Sequence, residues 1–338
     1  MKVIVTGGAG FIGSCFIRLL ARERPSWKAV NVDKLTYAGN LANLEPVRGW
    51  AGHEFVRADI ADETAMAAVV TTGLDAVINF AAESHVDRSI QSARPFVDTN
   101  ITGTLTLLEA ARKVGVGRFL QVSTDEVYGS LGPGDPAFTE QNQIAPNSPY
   151  SASKASADML CMSFNRTHGM DVVITRCSNN YGPYQFPEKL IPLMIANALE
   201  EKPLPVYGDG MQVRDWIHVE DHCRAILATL ERGRTGEVYN FGGNAEVANM
   251  LVVKGILKKL GRHESLIRHV QDRPGHDRRY AMDATKALRE LNWSPSVTFE
   301  QGIADTIDWY VANRPWWEAV RTGEYLNYYD AWYGRRLA

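Results

Sequence analysis

Short β-branched runs alternate with longer helical patterns through the first half of the chain, and this alternation constrains the fold more than any other feature. Val3 to Val5, Ala29 to Val32, Phe55 to Arg57, Ala76 to Phe80, Phe119 to Ser123 and Val172 to Arg176 read as strands. They are apolar runs without period-two alternation, the pattern of strands covered on both faces. Phe11 to Arg22 and Thr99 to Val114 read as helices, the second with Ile101, Leu105, Leu108 and Ala111 on one face. Repetition of strand, helix and strand builds a parallel sheet with helices on both sides, so an α/β, Rossmann-like, doubly wound fold is expected.

Beyond about residue 181, prolines at Pro183, Pro187, Pro192, Pro203 and Pro205 break the rhythm and suggest shorter elements. With 338 residues the chain exceeds the roughly 150 of a typical domain. The expected division is a Rossmann domain over 1–181, with a returning segment near 213–243, and a smaller C-terminal α/β domain over 182–212 and 244–338. The tail from Pro315 carries Trp316, Trp317, Tyr325, Tyr328, Tyr329, Trp332 and Tyr333, and packing on the body accounts for it better than ligand binding does.

Lys plus Arg number 36 against 39 for Asp plus Glu, a net charge of -3. That balance offers no electrostatic footprint for nucleic acid or an anionic membrane, so neither partner is expected and any phosphate recognition must be local. The Val3-Ile4-Val5 run ends in glycines and is too short for a signal peptide or a span. Cys15, Cys161, Cys177 and Cys223 form no C-x-x-C pair, and reduced thiols in a cytoplasmic protein are expected.

Thr6-Gly7-Gly8-Ala9-Gly10-Phe11-Ile12-Gly13 follows the first strand and opens the first helix, the context that a dinucleotide fingerprint requires. Glycines there let the backbone approach a pyrophosphate at a helix N-terminus, where free N–H groups and the dipole favour an anion. Asp33 closes the second strand twenty residues after Gly13. A carboxylate at that place accepts hydrogen bonds from a ribose 2′-OH and repels a 2′-phosphate, which favours NAD over NADP.

Tyr150 and Lys154 lie four apart and share a face if the segment is helical. A nearby ammonium favours phenolate, so Tyr150 is a candidate base; an exposed helix pair is the plainer alternative. Thr124, Asp125 and Glu126 sit where a parallel strand ends, the edge at which open α/β sheets bind ligands. A helix N-cap with favourable negative charge explains the same carboxylates without chemistry. His218 and His222 are four apart, but Val219 and Asp221 fall where the zinc motifs need Glu, so capping or packing is expected and no metal site.

Taken together these residues resemble the extended short-chain dehydrogenase/reductase superfamily, and within it the dTDP-glucose 4,6-dehydratase family over nearly the whole chain. The stretches that carry the resemblance are 33–40, 81–87, 123–128, 177–183, 188–192 and 272–277, with Thr124-Asp125-Glu126 the most discriminating. Related 4-epimerases lack the adjacent Asp and Glu. The resemblance implies an NAD-dependent hydro-lyase of deoxysugar biosynthesis acting on dTDP-glucose, with Thr124, Asp125, Glu126, Tyr150 and Lys154 as catalytic residues. In this scheme Lys154 and the nicotinamide charge lower the pKa of Tyr150, Glu126 takes the C5 proton, and a protonated Asp125 releases the C6 hydroxyl as water.

For NAD the resemblance implies Gly7, Gly10, Phe11, Ile12, Gly13, Asp33, Lys34, Thr36, Asp59, Ile60, Phe80, Ala81, Ala82, Ser84, Thr99, Ser123, Tyr150, Lys154 and Asn180. The nucleotide sugar falls to Ser84, His85, Thr124, Asp125, Glu126, Asn179, Lys189, Leu190, Pro205, Tyr207, Arg214, Asn249, Arg273 and His276. Among these, Arg forks and an Asn amide suit a diphosphate, and Tyr207 suits stacking on a base. Arg278 and Arg279 are expected to be solvated or ion-paired. Members of the family pair as homodimers through helices that correspond here to 99–114 and 150–168. The alternatives are a dehydratase or 4-epimerase acting on a UDP- or CDP-sugar, and a catalytically silent NAD sensor.

Overall fold

A computed structural model describes residues 1–321 and 324–337. In chain order its strands are β1 (Lys2–Thr6), β2 (Lys28–Asp33), β3 (His53–Arg57), β4 (Ala76–Asn79), β5 (Arg118–Thr124), β6 (Val172–Cys177), β7 (Asn179–Tyr181), β8 (Leu204–Tyr207), β9 (Val213–His218), β10 (Val238–Phe241), β11 (Glu246–Ala248) and β12 (Ile267–Val270). Seven of them form one parallel sheet in the order β10-β6-β5-β4-β1-β2-β3. The order reverses between β1 and β4, so a crevice opens there at the carboxyl ends of the strands. The doubly wound α/β expectation therefore holds.

Apolar burial explains the layers. Val3, Val5, Ala29, Ile78, Leu120 and Val122 face helices Phe11–Glu23 and Val219–Arg232 through Phe16, Leu20, Cys223, Ile226 and Leu230. On the opposite face Ile4, Val77, Phe119, Val172 and Ile174 meet Leu107, Leu108, Ala111, Cys161 and Phe164. A second body of structure comprises a three-stranded sheet, β11-β9-β7, and a pair, β12-β8. It has its own core around Tyr181, Met194, Ile195, Trp216, Val253, Ile256 and Tyr310.

Two sequence expectations change. Thr99 to Val114 is not one α-helix: residues Val97–Gly103 are π-helical, and the α-helix runs Thr104–Val114. The widened turn lets the Asn100 side chain leave the helix and bond both the Glu83 N–H, at 2.9 Å, and the Glu83 carbonyl, at 3.0 Å. The region after 181 is also less broken than its prolines suggest, with helices of 10 residues at Leu190–Leu199 and 14 at Phe299–Ala312. Pro192 sits in the first turn of its helix, where a missing N–H costs nothing.

The four cysteines are free and buried. Among the described residues no helix is long and apolar enough to cross a membrane. The tail packs as expected, burying Trp317, Tyr325, Tyr328, Trp332 and Tyr333.

Candidate active site

The carboxyl ends of β1, β2, β4 and β5 surround a cavity of about 300 Å³. Every residue expected to hold NAD, from Gly7 to Asn180, lines it. The turn after β1 needs its glycines for two reasons. Gly7 has φ +67°, and a Cβ there would lie 2.7 Å from the Ala81 backbone nitrogen; a Cβ on Gly13 would lie 2.3 Å from the Gly7 carbonyl oxygen. The helix that follows opens at Gly10 with no side-chain cap, so its first amides remain available to an anion.

Asp33 ends β2 at the rim of the cavity and is held by two backbone donors, Ala9 N–H to Oδ2 at 2.9 Å and Leu35 N–H to Oδ1 at 2.8 Å. Each oxygen keeps a lone pair for a ribose hydroxyl. Lys34 pairs with Asp59 at 2.5 Å, and both line the same cavity. The Ser123 and Ser178 hydroxyls are buried without partners on the same wall. A backbone-walled glycine turn, a fixed carboxylate and orphaned hydroxyls together fit a dinucleotide.

At the inner end, Thr124 terminates β5 and caps a 3₁₀ turn, Asp125–Tyr128, by accepting from the Glu126 N–H. The capping role foreseen as an alternative is therefore present, and it aims the two carboxyls into the cavity rather than replacing them. Thr124 Oγ1 donates to Asp125 Oδ1 at 3.1 Å, while Oδ2 is buried without a partner. Burial, with the neighbouring Glu126 charge next, drives the Asp125 pKa well above the carboxylate range. Glu126 is raised by burial, with Arg273, Lys189 and Arg214 opposing. Burial thus raises both adjacent carboxyls, with Arg273, Lys189 and Arg214 opposing at Glu126 and Thr124 and Arg214 opposing at Asp125.

Tyr150 and Lys154 lie on helix Pro149–His168, whose Ser148/Ser151 capping box fixes the start. Both are buried on the same cavity wall. Lys154 Nζ donates to the Val122 carbonyl at 2.7 Å, and burial, Glu126 and Cys177 push the Tyr150 pKa upward. Within the chain itself, burial and the nearby Glu126 carboxylate raise the Tyr150 phenol, with the Thr124 hydroxyl opposing.

A second cavity of about 150 Å³ adjoins the first. His85, Glu126, Asn179, Lys189, Leu190, Pro205, Tyr207, Arg214, Asn249, Arg273 and His276 line it. Ser84, Thr124 and Asp125, also expected on the substrate side, line the first cavity instead. The two share Glu126, Asn179, Glu188 and Lys189 as a common wall.

Several residues at the site escaped sequence reasoning. Asp87, buried to 3% exposure, receives Arg273 Nη1 at 2.9 Å and the Tyr207 hydroxyl at 2.8 Å. Glu188 accepts from the Tyr37 hydroxyl at 3.0 Å and pairs with Arg88 at 3.1 Å. Tyr333 brings the C-terminal tail into the wall of the second cavity, and Trp332 donates to the Tyr207 hydroxyl. The packed tail therefore also forms part of that cavity wall. A buried charge was the available signal for Asp87 and Glu188, but nothing local in the sequence reveals burial.

Arg278 and Arg279 are ion-paired, with Asp209 at 2.9 Å and Glu246 at 2.6 Å. His218 caps its helix by accepting from the Glu220 N–H. His222 bonds Asn180 Oδ1 at 2.9 Å, and burial lowers its pKa from 6.5 to about 3. The unfolded chain takes up this proton near 6.5 and the fold refuses it until about 3. Its contribution to stability is thus full above 6.5 and declines as pH falls, by up to about 1.4 kcal/mol per pH unit. Urea midpoints measured between pH 7 and 4 should fall less steeply for His222→Gln than for the parent; parallel slopes would contradict the assignment.

The sheet order, the glycine turn and the buried Tyr150/Lys154 pair define an extended short-chain dehydrogenase/reductase. A family model described as GDP-mannose 4,6 dehydratase matches residues 4–306. A dTDP-glucose 4,6-dehydratase of Streptomyces niveus is 52% identical over 326 residues, covering 95% of this chain and 96% of the relative. Another from Neisseria meningitidis serogroup B is 53% identical over 345 residues, covering 96% and 97%. The crystal structure of a dTDP-glucose 4,6-dehydratase from Streptomyces venezuelae with NAD and TYD bound superposes with a TM-score of 0.92 at 50% identity, covering 95% of this chain and 100% of that one. A UDP-glucuronic acid 4-epimerase from Bacillus cereus, solved with UDP-glucuronic acid and NAD, gives 0.86 at 30% identity, covering 92% and 99%. The chain belongs to the dTDP-glucose 4,6-dehydratase family.

Proposed function

We propose that the protein is an NAD-dependent hydro-lyase that converts dTDP-glucose to dTDP-4-keto-6-deoxyglucose. The observation that carries the reading is the Asp125/Glu126 pair, two adjacent buried carboxyls that line one cavity with Tyr150. An enzyme that only oxidises and re-reduces one carbon has no use for an acid and a base together. The relatives named for the dehydratase reaction are also far nearer in sequence than the epimerase.

In this reading Thr124 and Tyr150 hold the glucose 4-hydroxyl, and Tyr150 takes its proton. NAD, when bound, supplies the oxidation at C4, the later return of the same hydride to C6, and a positive ring that opposes the upward push on the Tyr150 pKa. The 4-ketone acidifies the C5 hydrogen, which Glu126 removes. Asp125 gives its proton to the departing C6 hydroxyl, and the water leaves. Glu126 then returns a proton to C5. Lys154, held by the Val122 carbonyl, would place its ammonium on the wall that holds the cofactor. Arg214 and Arg273 bind the diphosphate in the second cavity.

The same reading divides the chain into 1–181 with 213–243 for the cofactor and 182–212 with 244–338 for the nucleotide sugar, except that β7 and β9 join β11 in the second body and β9 gives Arg214 to the nucleotide-sugar side. A homodimer through the helices near 99–114 and 150–168 is supported by exposed Val97 and Met159 on or next to them. A monomer mass by light scattering at micromolar concentration would overturn it. The free, buried cysteines suit a cytoplasmic enzyme.

Incubation of the purified protein with dTDP-glucose, UDP-glucose and CDP-glucose, without added NAD, tests the whole proposal by mass spectrometry. Loss of one water from dTDP-glucose alone is expected. Deuterium placed at C4 should reappear at C6 of the same molecule, and its return to C4 would make the protein an epimerase.

A further inference from the structure

Gln212 lines the second cavity with 2% of its surface exposed. Its Nε2 donates to Asp272 Oδ2 at 2.9 Å. A carboxylate only accepts hydrogen bonds, so the amide nitrogen must face Asp272 and the carbonyl oxygen is the group left over. That oxygen, Oε1, is buried and has no partner in the protein. A buried acceptor left unpaired is costly, and in the wall of a ligand cavity the cost is recovered when a ligand brings a donor.

Asp272 sets a neighbour in the same way. Its Oδ1 takes the His276 Nδ1–H at 2.6 Å and the Arg273 backbone N–H at 2.8 Å. His276 is kept neutral by burial and by the charges of Arg273 and Arg214, its pKa pushed down to about 4. Its second nitrogen is therefore an acceptor as well. One carboxylate thus turns two side chains of the cavity wall into acceptors, beside two arginines that are donors only.

This division matches a nucleoside diphosphate part by part. Phosphate oxygens accept and pair with Arg214 and Arg273; they have nothing to give Gln212. The glucose must reach Glu126 on the shared wall, and Gln212 lies on the second cavity alone. The remaining donors of the proposed substrate are the thymine N3–H and the deoxyribose 3′-hydroxyl. We infer that Gln212, its amide oriented by Asp272, is a specificity residue that accepts a hydrogen bond from the nucleoside part of the substrate. The inference rests on the substrate reading above and adds a residue to it.

The test is calorimetric binding of three probes to the NAD-loaded enzyme: dTDP, its 3′-deoxy analogue and its N3-methyl analogue. The parent protein should bind one of the two analogues about tenfold more weakly than dTDP, and the affected analogue identifies the donor. In Gln212→Met the same analogue should bind within about twofold of dTDP, because the acceptor is gone. Equal binding of all three probes by the parent would overturn the inference without any variant. A loss that persists undiminished in Gln212→Met would overturn it too. A parent enzyme that binds dTDP no better than pyrophosphate would defeat the substrate reading itself, and the inference with it.

Discussion

A Glu126→Gln variant is expected to lose dehydration by roughly 10²- to 10⁴-fold in kcat, the usual weight of a positioned general base, while retaining its NAD. Glutamine keeps the volume and the hydrogen-bonding shape but cannot take a proton from C5. Solvent deuterium should accordingly stop entering C5 in the variant, a readout that mere loosening of the site would not move. Full turnover by Glu126→Gln would refute the assigned base. The parent's pH profile should show the complementary roles. Activity should fall on the acid side as Glu126, itself raised, takes a proton, and on the alkaline side as Asp125, also raised, loses the one it must donate.

Replacing Gly7 by alanine should empty the cofactor cavity. The residue has φ +67°, and its new Cβ would fall 2.7 to 2.9 Å from backbone atoms of Phe80 and Ala81. The left-handed conformation alone costs a side chain about 1 to 2 kcal/mol. The clash is with backbone at the end of β4, not with a movable side chain, so the crevice itself must spread. We expect purified Gly7→Ala to carry less than about a tenth of the parent's NAD and to show no measurable turnover without added cofactor. NAD content equal to that of the parent, measured after acid extraction, would show that the turn tolerates a methyl group.

What the sequence reveals about this molecule follows from the distance over which each feature is determined. The glycine turn and Asp33 are set by strands that lie within the first 33 residues, and their spacing is readable directly. The Asp125/Glu126 pair is contiguous and lies at the end of an apolar run, so its place at the sheet edge is equally legible. Asp87 is different, since its partners Tyr207, Arg273 and Tyr328 are 120, 186 and 241 residues away. No local pattern announces such a meeting. The Tyr150 environment shows the same limit, because the spacing to Lys154 is visible but the Val122 carbonyl that Lys154 bonds belongs to strand β5, 32 residues away. The π-helical stretch at Val97–Gly103 was hidden for a related reason, since apolar period reports which face is buried and not how tightly a turn is wound.

The wall shared by the two cavities separates what the molecule does from what it selects. In the proposed reading chemistry falls to Thr124, Asp125, Glu126 and Tyr150 on one side and recognition to Tyr207, Gln212, Asn249 and His276 on the other, and the two cavities share Glu126, Asn179, Glu188 and Lys189. Substitutions on the far side can therefore redirect the enzyme to a different nucleotide carrier without disturbing bond breaking. A protein engineer seeking new deoxysugars has a partition line to work along.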